Sequence, residues 1–293
     1  MMDGAAVPEP EIVVGAHNVP VRNAAGPSTL ESALGALRYS QKMDNGTPLD
    51  ILALRQPSDV LVVALHGALD RTRFTIPRFE WLTTVRSTGF SYLGFADPSL
   101  HLTRKLELSW FTGSSKQDLI PVLQSWVLAA ATSFGASKVV ITGSSGGGFA
   151  SLQLARVVPG AVACVFNPQT AINRYVVPRW GTRAQRRYLE VVMPELMPAN
   201  PEDLDGPDDW TLPLGDRLSA VRAYSHGPGS KVIYNANLSD WHHETHYLPF
   251  VDAVEQAGNS QYLRRVEYDQ GAGHPLPTRD HFIDGITAAA GWA

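Results

Sequence analysis

Short apolar runs, set apart by stretches with helical spacing, constrain this chain more than any other feature. Val60–Leu65 is an unbroken apolar run that ends at His66-Gly67. A strand with one wet face alternates apolar and polar residues, so an unbroken run predicts a strand covered on both faces. Phe90–Phe95, Lys138–Thr142, Ala161–Phe166, Lys231–Asn235 and Arg264–Tyr268 read as further strands. Between Phe90–Phe95 and Lys138–Thr142, Leu119, Val122, Leu123, Trp126, Val127 and Ala130 recur at helical spacing. Ser115-Lys116-Gln117-Asp118 reads as a capping box before them, and Gly135 as the stop after them. Gly143–Gly148 is a glycine-rich turn, and Phe149, Leu152 and Ala155 form the buried stripe of the next helix. His246–Ala257 and Thr278–Ala290 are the last two helices. Strand and helix in alternation predict an α/β fold: a mostly parallel central sheet with helices on both faces.

Two regions break the rhythm. Residues from about 171 to 228 are rich in proline and acidic residues, carry Trp180 and Trp210, and read as a cap inserted into the pattern, with a helix near Arg183–Met193. Before residue 59, Glu11–Gly15, Ala36–Ser40 and Leu49–Leu54 read as antiparallel strands that extend the sheet at its edge or form a small subdomain. The expected division is an N-terminal β extension over 1–58 and the α/β domain over 59–293.

The bulk properties narrow the partners. A chain of 293 residues with 44% hydrophobic residues can bury a core without a disulfide or metal staple. Cys164, the sole cysteine, lies in an apolar run and reads as a small core side chain. The net charge is −4, and the densest basic cluster, Arg183, Arg186 and Arg187, is too small for a nucleic-acid groove. The N-terminus lacks the basic start and apolar stretch of a signal peptide, and no run reaches the roughly 20 apolar residues of a membrane span. The expected location is the cytoplasm; the oligomeric state is not legible.

The strongest chemical signal is Val139-Val140-Ile141-Thr142-Gly143-Ser144-Ser145-Gly146-Gly147-Gly148. It fits G-x-S-x-G, in which a strand turns sharply into a helix and lifts one hydroxyl clear of the sheet. Ser145 is the central residue of the five and therefore the nucleophile candidate, ahead of Ser144. The following helix turns its positive end to the site, which favours an oxyanion. No lysine follows the glycines, and the spacing misses G-x-G-x-x-G, so a phosphate-binding loop is not supported.

A serine hydroxyl needs a base and the base needs a carboxylate. His274, in Gly271-Ala272-Gly273-His274-Pro275, sits between the last strand and the last helix, at the carboxyl edge of a parallel sheet. Asp240 lies just past Lys231–Asn235, whereas Asp252 and Glu244 fall on the helix that follows. Ser145, Asp240, His274 is the chain order that accompanies this kind of turn. Two N–H donors complete the set: Gly146, and Ala68, with Leu69 next, from the loop after Val60–Leu65. His66 reads first as structural and secondly as a substrate contact. Trp180, Trp241, Tyr175 and Trp210 are candidates for an apolar or sugar-stacking wall, and Arg174 and Arg179 for an anionic substrate. His242 and His246, four apart, raise a metal reading, but the segment is not H-E-x-x-H; no metal is expected.

These pieces resemble the α/β-hydrolase superfamily, over residues 60 to 290: His66-Gly67 after a strand, Gly143-Ser144-Ser145-Gly146-Gly147 at a strand–helix turn, Asp240, and Gly273-His274. The resemblance implies nucleophile, acid and base roles for Ser145, Asp240 and His274, a cap, and hydrolysis or acyl transfer without a cofactor. Gly146-Gly147-Gly148 is richer in glycine than most such turns, and Asn167-Pro168-Gln169-Thr170 is not general in the superfamily. Both look like a divergent bacterial branch, of which some members act on glycans or cell-envelope material. Three readings follow: a serine esterase or thioesterase acting on a small-molecule or glycan ester, an acyltransferase to a glycan or other hydroxyl, and a non-catalytic binding protein.

Overall fold

The computed structural model describes residues 19–201, 204–206, 208–227 and 229–293. Among them, nine strands form one sheet. They are β1 (Val21–Ala24), β2 (Gly35–Lys42), β3 (Pro48–Arg55), β4 (Val60–Leu65), β5 (Ser91–Ala96), β8 (Lys138–Ser144), β9 (Val162–Phe166), β10 (Lys231–Asn237) and β11 (Leu263–Tyr268). β6 (Gly113–Ser114) and β7 (Gln117–Asp118) make a separate small hairpin. The order across the large sheet is β1-β2-β3-β5-β4-β8-β9-β10-β11. From β5 to β11 every pairing is parallel; β3 is antiparallel to both β2 and β5.

The α-helices are α1 (Leu82–Ser87), α2 (Ile120–Phe134), α3 (Ser145–Ala155), α4 (Arg183–Val191), α5 (Ala220–Ser225), α6 (Leu248–Gln256) and α7 (Arg279–Ala290). β4 shows why its run is unbroken. Leu61, Val63 and Leu65 pack into a core with α2, α3, α5 and α6, while Val60, Val62 and Ala64 pack into a second core with α1 and α7. Successive side chains point to opposite faces, and both faces are dry. Cys164 is buried in the second core, and burial pushes its thiol up to about 12. No helix among the described residues is long and apolar enough to cross a membrane.

Several expectations change. Ser115–Asp118 is not a capping box: Gln117-Asp118 pairs with Gly113-Ser114, and the helix starts at Ile120, whose N–H is accepted by Asp118 Oδ1 at 3.0 Å. The glycine-rich turn is shorter than its sequence, because Gly146, Gly147 and Gly148 already belong to α3. α3 carries no one-sided stripe, since all its residues are buried. A π turn, His243–Tyr247, precedes α6 where one helix from His246 was expected. Ala36–Ser40 and Leu49–Leu54 are antiparallel as expected and continue the main sheet; Glu11–Gly15 lies outside the described residues. The insertion between β9 and β10 holds α4, α5 and several single turns.

Candidate active site

β8 ends at Ser144 in extended conformation (φ −109°, ψ 152°), and Ser145 switches to φ 56°, a left-handed backbone on a non-glycine residue. Such strain persists only where surrounding contacts hold it. The fit is tight: a Cβ at Gly147 would lie 2.1 Å from the Leu65 carbonyl oxygen at the end of β4. Of the two serines, Ser144 Oγ is buried without a partner among the described residues, whereas Ser145 Oγ accepts a hydrogen bond from Gln169 Nε2 at 2.8 Å.

Asp240 and His274 reach the same edge from β10 and β11. Residues 240 and 273 form an isolated parallel bridge, which carries the pairing of the two strands past their ends. Asn237, the last residue of β10, ties the loop down: its Oδ1 accepts the Gln270 N–H and its Nδ2 donates to the Gly271 carbonyl, both at 2.9 Å. Gly271 (φ 87°) and Gly273 (φ 111°) supply the left-handed backbone that the loop requires. His274 Nδ1 then lies 2.7 Å from Asp240 Oδ2. The other carboxylate oxygen accepts the His242 N–H at 2.8 Å. With Nδ1–H donated to the carboxylate, His274 Nε2 keeps its lone pair for a proton. Among the described residues no hydrogen bond joins His274 to Ser145 Oγ. Such bonds are commonly long in empty sites and tighten when substrate binds.

The two expected N–H donors stand at this edge. Gly146 is in the first turn of α3, where no earlier helical carbonyl exists to take its N–H. The Ala68 N–H makes no hydrogen bond among the described residues, whereas Leu69 N–H is taken by the Glu107 carbonyl at 2.8 Å. That singles out Ala68 over Leu69. Gly67 brings the loop within reach: a Cβ there would lie 3.5 Å from Ser145 Cβ and 3.9 Å from Gly146 N.

An open cavity of about 500 Å³ lies beside these donors, lined by Ala68, Leu69, Leu108, Tyr175, Trp180 and Arg183 among others. Ser145, Asp240 and His274 are not in its lining. The link is aromatic: Tyr175 stacks on Trp241 (centroids 5.9 Å apart), and Trp241 stands 5.4 Å from the His274 ring. Trp180 is exposed at the cavity, with Arg183 over its ring.

Other expectations are corrected. His66 is buried. Its Nε2 accepts the Asp97 N–H at 3.0 Å, its Nδ1 donates to the Gly67 carbonyl at 2.8 Å, and its ring packs on Phe111. It clamps the loop after β4 to the end of β5, the structural role expected first for it. Burial holds its imidazole below the usual value. Trp210 is buried inside the insertion, its N–H bonded to Gln185 Oε1, and forms no wall. Arg174 lines a different hollow, with Arg222 and Asp252.

His242 and His246 are buried beneath the pair. The His242 ring lies 4.1 Å from His274 and 4.8 Å from His246. Burial, then the neighbouring histidine charges, hold His242 well below the usual range, and burial drives His246 down to about 3. Asp240, His242 and His274 carry ligand-type atoms within 4.8 Å of one another. The Asp240 carboxylate is shared between a ring N–H and a backbone N–H, one on each oxygen. Sequence reasoning missed Gln169 and Trp110. In the sequence Asn167–Thr170 stands out only as a departure from the superfamily, and nothing marks Trp110.

No family model matches the chain, and no curated protein matches it in sequence. Its shape has relatives among solved structures. The capsule O-acetyltransferase of Neisseria meningitidis serogroup A superposes with a TM-score of 0.54 at 12% identity, covering 84% of this chain and 95% of that one. Carboxyl esterase 2 of Tuber melanosporum gives 0.55 at 14% identity, covering 93% and 90%. Porphyromonas gingivalis dipeptidyl peptidase 4 gives 0.54 at 15% identity, covering 88% of this chain and 35% of its own. Together with the strand order, these likenesses define the class: the chain has the α/β-hydrolase fold.

Proposed function

We propose that the protein is a serine hydrolase that cleaves a carboxylic ester or thioester through an acyl-enzyme on Ser145. The observation that carries this reading is the 2.7 Å bond between Asp240 and His274, at the sheet edge where Ser145 adopts φ 56°. His274 Nε2 takes the Ser145 proton, Oγ attacks the carbonyl carbon, and the N–H groups of Gly146 and Ala68 receive the oxyanion. His274 returns the proton to the leaving alcohol, and water then frees the acyl group by the same path. The 500 Å³ cavity holds the substrate, with Trp180 and Tyr175 as its wall. Residues 59–293 form the catalytic domain, the strands of 1–58 extend its sheet, and the insertion at 171–228 serves as the cap.

Transfer of the acyl group to a hydroxyl acceptor is the second reading. It is favoured by the burial of Ser145, only 8% exposed, which limits water, and by the likeness to a capsule O-acetyltransferase. A serine-directed fluorophosphonate should label the intact protein on Ser145, and Ser145→Ala should abolish both labelling and nitrophenyl-ester cleavage. Equal esterase activity in that variant excludes Ser145 as nucleophile. Products formed with and without an acceptor alcohol separate hydrolysis from transfer.

A further inference from the structure

The two sequence departures, three successive glycines and Asn167-Pro168-Gln169-Thr170, meet in space. A Cβ at Gly148 would lie 2.6 Å from Pro168 Cβ, and one at Gly146 would lie 3.3 Å from Gln169 Oε1 and 3.4 Å from Trp110 Cδ1. The loop after β9 is thus seated directly on the first turn of α3. Its backbone is tied there as well, the Gln169 N–H donating to the Ser145 carbonyl at 3.1 Å. The Gln169 side chain is fully buried and spans two partners: Trp110 Nε1 donates to its Oε1, and its Nε2 donates to Ser145 Oγ at 2.8 Å.

The direction of these bonds is fixed by chemistry. An indole N–H only donates, so the oxygen of the amide must face Trp110 and the NH₂ must face Ser145. Trp110 itself is held in a strained turn. Trp110 and Phe111 have φ of 53° and 54°, and the buried Asp97 carboxylate secures the turn by accepting Ser109 Oγ–H and Phe111 N–H, both at 2.7 Å. Strain maintained in this way marks a residue whose placement matters.

We propose that Gln169 is a third hydrogen-bond donor of the catalytic site, aimed at the nucleophile oxygen rather than the substrate oxygen, and that Trp110 is the positioning residue that locks its amide. This rests on Ser145 being the nucleophile. With a lone pair of Oγ filled by Gln169, the Ser145 O–H is left to point at a base. As that proton passes to His274 Nε2 and the Oγ–C bond forms, negative charge builds first on Oγ, where the amide N–H stabilises it. The carbonyl π pair moves to the substrate oxygen, which Gly146 and Ala68 serve. In the acyl-enzyme Oγ is an ester oxygen, a weak acceptor, so the Gln169 bond is strongest in the transition states, where it accelerates the reaction.

The test uses fluorophosphonate labelling and ester turnover on the full chain. Gln169→Met keeps the length and removes the donor. Gln169→Glu keeps the acceptor for Trp110 and turns an acceptor oxygen toward Ser145. Each should slow Ser145 labelling and lower kcat by roughly 100-fold, the scale of losing one transition-state donor, with KM unchanged. Trp110→Phe should cost less, and the Trp110→Phe/Gln169→Met double variant should be no slower than Gln169→Met alone, because Trp110 acts through Gln169. Either folded Gln169 variant labelling within twofold of wild type overturns the proposal, as does a double variant whose loss is the product of the singles. Wild-type protein that is not modified on Ser145 overturns the nucleophile reading, and this one with it.

Discussion

Asp240 divides its carboxylate between two tasks. One oxygen holds His274 Nδ1–H and the other takes the His242 backbone N–H that opens the following turn. The same carboxylate thus steadies the local turn before His243–Tyr247 and meets the His274 ring. Asparagine at this position would keep its oxygen on the backbone N–H and turn an NH₂ toward His274 Nδ1. The ring would then carry its proton on Nε2 and have no lone pair for Ser145. Asp240→Asn should lower kcat by roughly 10⁴-fold with the fold intact, the known scale of a wrong tautomer in such a triad. Near wild-type turnover in a steady-state ester assay would remove Asp240 from the mechanism. The residues of the proposed triad are legible in the sequence because each lies just past a recognisable strand, Ser145 at the start of α3 and Asp240 and His274 in loops. Gln169 and Trp110 are not, because they meet across a sequence separation of 59 residues and no local pattern records a tertiary hydrogen bond.

The elements that the sequence displays best are those with both faces covered. β4 matches its apolar run residue for residue, β8 and β10 start where expected and run two residues longer, and β9 starts one residue late and ends as expected. β1 was missed, and the reason is visible: three of its four residues are exposed, so burial leaves no pattern. α1 was missed because it is only six residues of Leu82–Ser87, with two threonines and a serine that have little helical preference. The capping-box reading failed because local chemistry was outcompeted by a hairpin. α7, by contrast, starts where its sequence says it should, with Thr278 Oγ1 accepting the His281 N–H at 3.2 Å. This helix buries Phe282, Ile286 and Ala289 in the second core. Thr278→Ala should lower the free energy of unfolding by about 1 kcal/mol, as for other lost caps, and leave kcat unchanged. Chemical denaturation with an unchanged midpoint would show that the cap adds nothing.

At the scale of the whole molecule, burying neutral histidines makes stability depend on pH. An unfolded imidazole gains its proton near pH 6.5, whereas the folded chain holds His246 neutral down to about 3. Between those values the unfolded state binds more protons, so stability falls as pH falls, by about 1.4 kcal/mol per pH unit for this one group. His66 and His242 shift the same way. Thermal midpoints should therefore drop from pH 6.5 toward 4, and His246→Gln should flatten the slope; an equal slope in that variant would assign the loss to other groups. Read alone, the sequence determined the alternation of strand and helix, the sharp turn at Ser145 and the order Ser145, Asp240, His274, since burial period and turn chemistry are written locally. Only the tertiary structure decided that His66 is a clamp, that Ala68 rather than Leu69 has no hydrogen bond on its N–H among the described residues, that Tyr175 of the cavity wall stacks on Trp241 beside His274, and that Gln169 rests on Ser145. Those facts depend on which distant segments pack together, and a side chain's partner is set by the space left to it rather than by its neighbours in the chain.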